Sequence, residues 1–103
     1  MCYIANVGDS RAILSANMGK NVYAISKDHK PDSDTERERI YNAGGKIYQS
    51  SIKNKRGNVV LGPYRIDPGK LSVSRSFGDI EAKLPRYEGN PKVLIAKPEI
   101  TYF

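Results

Sequence analysis

The sequence places one carboxylate where it could take part in chemistry. Asp9 lies in the segment Gly8-Asp9-Ser10 between two short apolar runs, which predicts a tight turn with Asp9 at or beside its tip. A carboxylate oxygen on such a support is a ligand for hard cations such as Mg²⁺ or Mn²⁺. The alternative is that Asp9 caps backbone amides of its own turn. The five further aspartates are spread over turns and helix starts, so spacing alone establishes no metal site.

The single histidine and three arginines are further candidates. His29 could act as a general base because imidazole titrates near neutral pH. It could equally be a loop histidine that hydrogen-bonds locally before a helix, since no nucleophile and orienting acid can be assigned with it. Arg11, Arg65 and Arg75 could each bind a phosphate group through two hydrogen bonds, or pair with a nearby acid in a structural ion pair.

Composition limits the classes of protein to which the chain can belong. Its 103 residues allow at most one domain, and 39% apolar residues allow only a thin core. A lone cysteine, Cys2, beside a lone histidine excludes an internal disulfide and a zinc cluster. No apolar run is long enough to span a membrane, and residues 1–5 lack the basic start and long apolar stretch that are typical of a signal peptide. We expect a soluble intracellular chain, cytoplasmic or nuclear, with no membrane partner.

The charge is basic, at +6, but the basic residues are scattered without a run of five or six. This distribution favours a solvated surface over an anion-binding face. A small nucleic-acid-binding protein stays an alternative that rests on net charge alone.

The first half of the chain predicts strands followed by a helix. Residues 2–7 and 11–14 are expected to form a β-hairpin around the Asp9 turn, and 22–25 a third strand of the same meander. Ser33 followed by Glu36 matches a capping box, which predicts a helix over residues 34–43 that ends at Gly44. Because its apolar face is so narrow, this helix should lie on a surface with most of its circumference in water.

The second half reads mainly as strands. The pattern predicts a polar hairpin loop at 53–58, a short helical turn at 76–82 and a loop at 84–90. The expected strands are 46–52, 59–61, 64–66, 71–74, 93–95 and 100–103. Together with the first half, they predict an α+β fold of antiparallel strands with one covering helix. Both ends fall in strand-like segments, so we expect the chain to be a piece of a larger sheet protein.

Five motifs in a fixed order resemble one known family. They are Ala5 to Leu14, Asp28 to Pro31, Glu38 to Ile40 with Ala43 to Ile47, Gly69 to Asp79, and Pro98 to Ile100. Over nearly the whole chain they closely resemble the metal-dependent protein phosphatase family (PPM, type 2C). The resemblance implies that residues 1–103 are the central part of a phosphatase domain with the αββα sandwich fold. It also implies that the complete domain hydrolyses phosphoserine and phosphothreonine in phosphoproteins with water activated by Mg²⁺ or Mn²⁺.

The resemblance also implies that most of the catalytic machinery is missing here. The family's main metal ligands lie in Asp-Gly-His, Asp-Gly and Asp-Asn motifs, whereas no aspartate of this chain precedes Gly or Asn. Only Asp9 matches a family metal position, that of a third and weaker site, and no residue matches a catalytic or cofactor-binding position. Residues 83–97 occupy the place of the family's flap, where basic side chains could meet a phosphopeptide. We therefore predict that the isolated chain is inactive.

A non-catalytic alternative follows from the same departures. A degenerate phosphatase fold kept as a binding module would also have lost its metal motifs.

Overall fold

Short antiparallel strands and two short helices make up the chain, which confirms the predicted α+β class. A computed structural model describes all residues, 1–103. The elements in chain order are β1 Tyr3–Asn6, β2 Ile13–Ala16, β3 Asn21–Ala24, α1 Asp34–Asn42, β4 Lys46–Lys53, β5 Val59–Asp67, α2 Ile80–Lys83, a 3₁₀ turn Pro85–Tyr87 and β6 Glu99–Tyr102. The longest helix, α1, has nine residues, and no helix is long and apolar enough to cross a membrane.

The strands form three separate antiparallel pairs, and the predicted hairpin around Asp9 is wrong. β1 pairs with β6, so that Tyr3 lies opposite Tyr102, while β2 pairs with β3. The turn residues at 8–10 therefore carry the chain from one sheet to another. β2 and β3 pair as predicted, with β2 two residues later and β3 one residue earlier than expected, but β1 is not part of this sheet, so the predicted three-stranded meander is wrong.

Helix α1 confirms its predicted span to within one residue, but its N-terminus is not a capping box. Ser33 has the extended backbone of an N-cap (φ −68°, ψ 143°) yet makes no side-chain capping hydrogen bond, and the Glu36 side chain points elsewhere. The predicted end at Gly44 is confirmed. Gly44 adopts a φ of +90°, and the N–H of Gly45 donates to the carbonyl of Ile40 (2.9 Å), which satisfies the last turn.

The hairpin of β4 and β5 is longer than predicted, because β5 runs without a break through Gly62 and Pro63. A β-bulge between Gln49 and Ser51 accommodates this stretch. Gly62 lies so close to β4 that a Cβ there would approach the hydroxyl oxygen of Ser50 to 2.5 Å.

The apolar core is small. Only 12 of the 103 residues are buried, and the buried apolar cluster lies between α1, the inner end of β5 and the segment around residue 94. Its members are Ile40, Ile66, Ala82, Val93 and Leu94. Such a core contributes little apolar burial. Buried polar contacts between the elements are therefore important for holding them together.

Two predicted strands are not strands. The segment 71–74 is irregular, and Val93 and Leu94 lie in a turn, where they are fully buried in the core. A short apolar run has no periodicity that separates a strand from another buried segment, which explains the error. Arg75 and Ile95 form an isolated bridge between these two segments.

Candidate functional site

Asp9 lies in the crossing between β1 and β2 with a half-exposed side chain. Its Oδ2 accepts a hydrogen bond from the Lys30 ammonium group at 3.1 Å. No three of the His, Cys, Asp and Glu side chains lie close enough together to hold a metal ion. Asp9 can therefore offer one carboxylate to a cation, but these residues do not fit a complete metal centre by themselves.

His29 is joined by two hydrogen bonds to the backbone of Gly8, next to Asp9. The N–H of Gly8 donates to His29 Nδ1 (3.0 Å), and the N–H of His29 donates to the carbonyl of Gly8 (2.9 Å). The φ of Gly8 is +106°, a conformation that a side chain would strain. These two hydrogen bonds and the Gly8 conformation together fix the direction of the backbone between β1 and Asp9.

The same contacts decide between the two interpretations of His29. Because Nδ1 accepts a hydrogen bond, the proton of the neutral ring is on Nε2. Nε2 is buried without a hydrogen-bond partner, 3.6 Å from Glu99 Oε1, and the whole side chain is 1% exposed. The ring has no face open to a substrate, so His29 positions the turn and is not placed as a general base.

A buried carboxylate lies beneath this turn region. Glu36 in α1 is 2% exposed and accepts hydrogen bonds from Ser74 Oγ (2.7 Å), Arg75 Nε (2.7 Å) and Arg39 Nε (3.2 Å). Arg75 also donates to the carbonyl of Lys97 (2.9 Å). The Arg75 side chain thus connects α1 to the segment before β6, while Arg75 itself lies in the segment before α2.

The hydrogen bonds to Glu36 determine its protonation state. Burial disfavours the ionised form, but donation by Arg75, Arg39 and Ser74 outweighs it and lowers the pKa of Glu36 from 4.5 to about 2. The carboxylate is therefore ionised at neutral pH, paired with Arg75.

Acid should weaken the fold through this group. Because its folded-state pKa is depressed, Glu36 contributes stability that is fully present above about pH 4.5 and lost as the pH falls towards 2, in total about 3 kcal/mol. We expect urea unfolding midpoints to drop between about pH 6 and about pH 2.5. In the Glu36→Gln variant this part of the pH dependence should vanish; an unchanged profile would contradict the assignment.

Sequence reasoning missed the Glu36 network because it assigned that side chain to a capping box. A usable signal was present. Glu36 lies four residues before Ile40 and hence on the same face of α1. A carboxylate on the buried face of a helix requires a cationic partner, and Arg75 was among the candidates.

The predicted basic candidates are engaged within the chain. Arg11 holds Asp28 through two hydrogen bonds (3.0 and 2.8 Å), which lower the pKa of Asp28 and confirm the structural ion pair. Arg65 donates to the carbonyl of Lys70 (2.9 Å). In the predicted flap, Lys83 donates to the carbonyl of Ser76 (2.7 Å). None of these groups hydrogen-bonds to Asp9, so the structure brings only Lys30 to that carboxylate.

Comparison with known proteins finds matches over nearly the whole chain. The sequence profile of the family described as Protein phosphatase 2C matches residues 2–102. Probable protein phosphatase 2C 71 of Arabidopsis thaliana is 42% identical over 97 residues, which cover 94% of this chain and 17% of that protein. Probable protein phosphatase 2C 45 of Oryza sativa subsp. japonica is 47% identical over 77 residues, covering 75% and 22%.

A solved structure is similar as well. The crystal structure of a phosphatase from a pathogenic strain of Toxoplasma gondii superposes with a TM-score of 0.64 at 33% identity, covering 95% of this chain and 26% of that one. The chain thus spans only 17% to 26% of the length of these relatives.

Proposed function

The chain belongs to the protein phosphatase 2C family, and on that basis we propose that it is the central part of the catalytic domain of a metal-dependent serine/threonine phosphatase. The supporting observation is the family match over residues 2–102, with relatives that are 42% and 47% identical. The proposed substrates of the complete protein are phosphoserine and phosphothreonine side chains of phosphoproteins.

Metal dependence is part of this proposal. Bound Mg²⁺ or Mn²⁺ in such an enzyme supplies an activated water and stabilises charge on the phosphoryl oxygens. Because these 103 residues gather no three metal-ligating groups, we propose that the main ligands belong to parts of the complete protein outside them. Asp9 would add one carboxylate to an ion held mainly by those parts.

The chain's own contribution is then to present Asp9 in a fixed position. The reciprocal hydrogen bonds of Gly8 and His29 set the backbone of the turn, and the Glu36–Arg75 pair holds the elements beneath it. Lys30 neutralises the Asp9 carboxylate in this structure (3.1 Å). A divalent ion that binds Asp9 must therefore either displace the Lys30 ammonium group or share the Asp9 carboxylate with it.

Hydrolysis of a phosphothreonine peptide tests the function. The complete protein that contains this sequence should release phosphate with Mn²⁺ and stop when a chelator is added. The 103-residue chain, assayed identically, should not exceed the metal-free blank. A complete protein that binds the phosphopeptide without turnover would instead support the non-catalytic binding module.

A further inference from the structure

The outer half of the β4–β5 hairpin projects from the rest of the molecule. Every residue from Ser51 to Leu61, which we call the arm, is exposed. The apolar side chains of Ile52 and Leu61 are 70% and 66% exposed. A two-stranded hairpin with both faces in water is marginal by itself, and grouped apolar exposure usually marks an interaction site.

The arm is nonetheless well ordered at both ends. At its tip the Asn54 side chain accepts hydrogen bonds from the N–H groups of Arg56 (2.9 Å) and Asn58 (3.0 Å). At its base, Gln49 donates to the carbonyl of Gly62 (3.3 Å) and Ser50 to that of Pro63 (2.9 Å) across the bulge. These contacts reduce the entropy that the arm would lose on binding a partner.

The arm is strictly basic. No Asp or Glu occurs between Glu38 and Asp67, a stretch that carries six Lys and Arg residues. Three of these residues, Lys53, Lys55 and Arg56, lie in the arm, and none of the three makes an ion pair. The positive charge at this end of the molecule is therefore uncompensated.

The register of the strands brings charge and apolar surface together on one face. Lys53 lies opposite Val59, and Ser51 lies opposite Leu61, so these four side chains share a face. Ile52 and Val60 pair on the other face. A cation next to two exposed branched apolar side chains suits a ligand that alternates acidic and apolar groups.

We infer that the arm is a docking surface for an extended, acidic protein segment. Acidic side chains of the partner would face Lys53, Lys55 and Arg56, and its apolar side chains would cover Val59 and Leu61. Charge complementarity selects this occupant over a second copy of the chain, whose own arm is equally positive. The inference concerns a surface distinct from Asp9 and does not require phosphatase activity.

The experiment measures binding of a fluorescein-labelled peptide of alternating glutamate and valine to the complete protein that contains this sequence, by fluorescence anisotropy. Combining Lys53→Glu, Lys55→Glu and Arg56→Glu should weaken binding by about tenfold or more, because each substitution replaces attraction with repulsion. The matched control combines Lys20→Glu, Lys27→Glu and Lys70→Glu, which reverse the same charge at exposed lysines outside both the arm and residues 83–97.

The outcomes separate the proposal from its rivals. Retained binding in the control, weaker binding after Leu61→Thr, and weaker binding of a glutamate–serine peptide would support it. Absence of binding, or equal losses in the two triple variants, would overturn it. Arm-dependent self-association in sedimentation, or tighter arm-dependent binding to RNA or phosphatidylserine vesicles than to the peptide, would also overturn it. Circular dichroism checks that each variant keeps its strands.

Discussion

Replacing Glu36 with alanine should lower the free energy of unfolding by about 3–5 kcal/mol. The substitution leaves the Arg75 guanidinium largely buried without its carboxylate and removes the acceptor of the Ser74 hydroxyl. A cation stranded in a small core costs several times more than a lost surface contact. Urea unfolding followed by circular dichroism at neutral pH measures the difference.

The same helix supplies the matched control. Arg37 pairs with Asp34 at 3.1 Å, but both side chains are exposed. The Arg37→Ala variant should therefore lose no more than about 0.5 kcal/mol. If the Glu36 and Arg37 variants shifted the urea midpoint equally, the Glu36 network would not have the structural weight assigned to it. Failure of the Glu36 variant to fold, while the Arg37 variant folds, agrees with the prediction.

Replacing Asp9 with alanine in the complete protein should raise the Mn²⁺ concentration for half-maximal activity between about ten- and a hundredfold. The change removes a proposed metal-ligating carboxylate. It should cost little stability, because the Asp9–Lys30 pair is half-exposed and such pairs contribute at most about 1 kcal/mol. Phosphopeptide hydrolysis over a Mn²⁺ titration, with a thermal unfolding curve for each variant, separates the two effects.

The Asp32→Ala variant is the control for Asp9, since Asp32 is an exposed aspartate without an ion pair. It should leave the Mn²⁺ dependence unchanged. An Asp9 variant with the wild-type Mn²⁺ dependence would count against the metal role. A loss of activity that tracks a loss of folding would assign Asp9 to the fold.

Local signals predicted some elements well. Helix α1 was predicted from Ser33, Glu36 and Gly44, which lie within about a dozen residues of one another, and its span holds although the capping-box hydrogen bond does not form. The β2–β3 pair was predicted from two apolar runs with turn residues between them, which are also close in sequence. Each element is decided by contacts between residues close in sequence.

Contacts between residues far apart in sequence could not be predicted in this way. β1 pairs with β6, which begins at Glu99, and no pattern near Asp9 distinguishes that crossing from a hairpin turn. The reciprocal hydrogen bonds between Gly8 and His29 join residues 21 positions apart. They decide the path of the chain, and they cannot be read from either residue type alone.

In the candidate site, too, the sequence predicts only the features that depend on residues close together in the chain. Asp9 was named as a candidate because of its predicted turn, and the resemblance of the chain to the family supplies the metal hypothesis. The roles of His29 and Glu36 became visible only when the fold brought Gly8 and Arg75 against them. Buried polar contacts of this kind depend on tertiary placement, which the spacing of residue types does not encode.

We propose that the divalent ions of the complete phosphatase are held mainly by residues outside these 103, which gather no three metal-ligating groups. Titration of Mn²⁺ into the folded chain, with free Mn²⁺ followed by electron paramagnetic resonance, tests it most directly. We expect a free-ion signal that rises as in buffer through micromolar concentrations, and an identical curve for Asp9→Ala. Tight uptake of two ions per chain would contradict it.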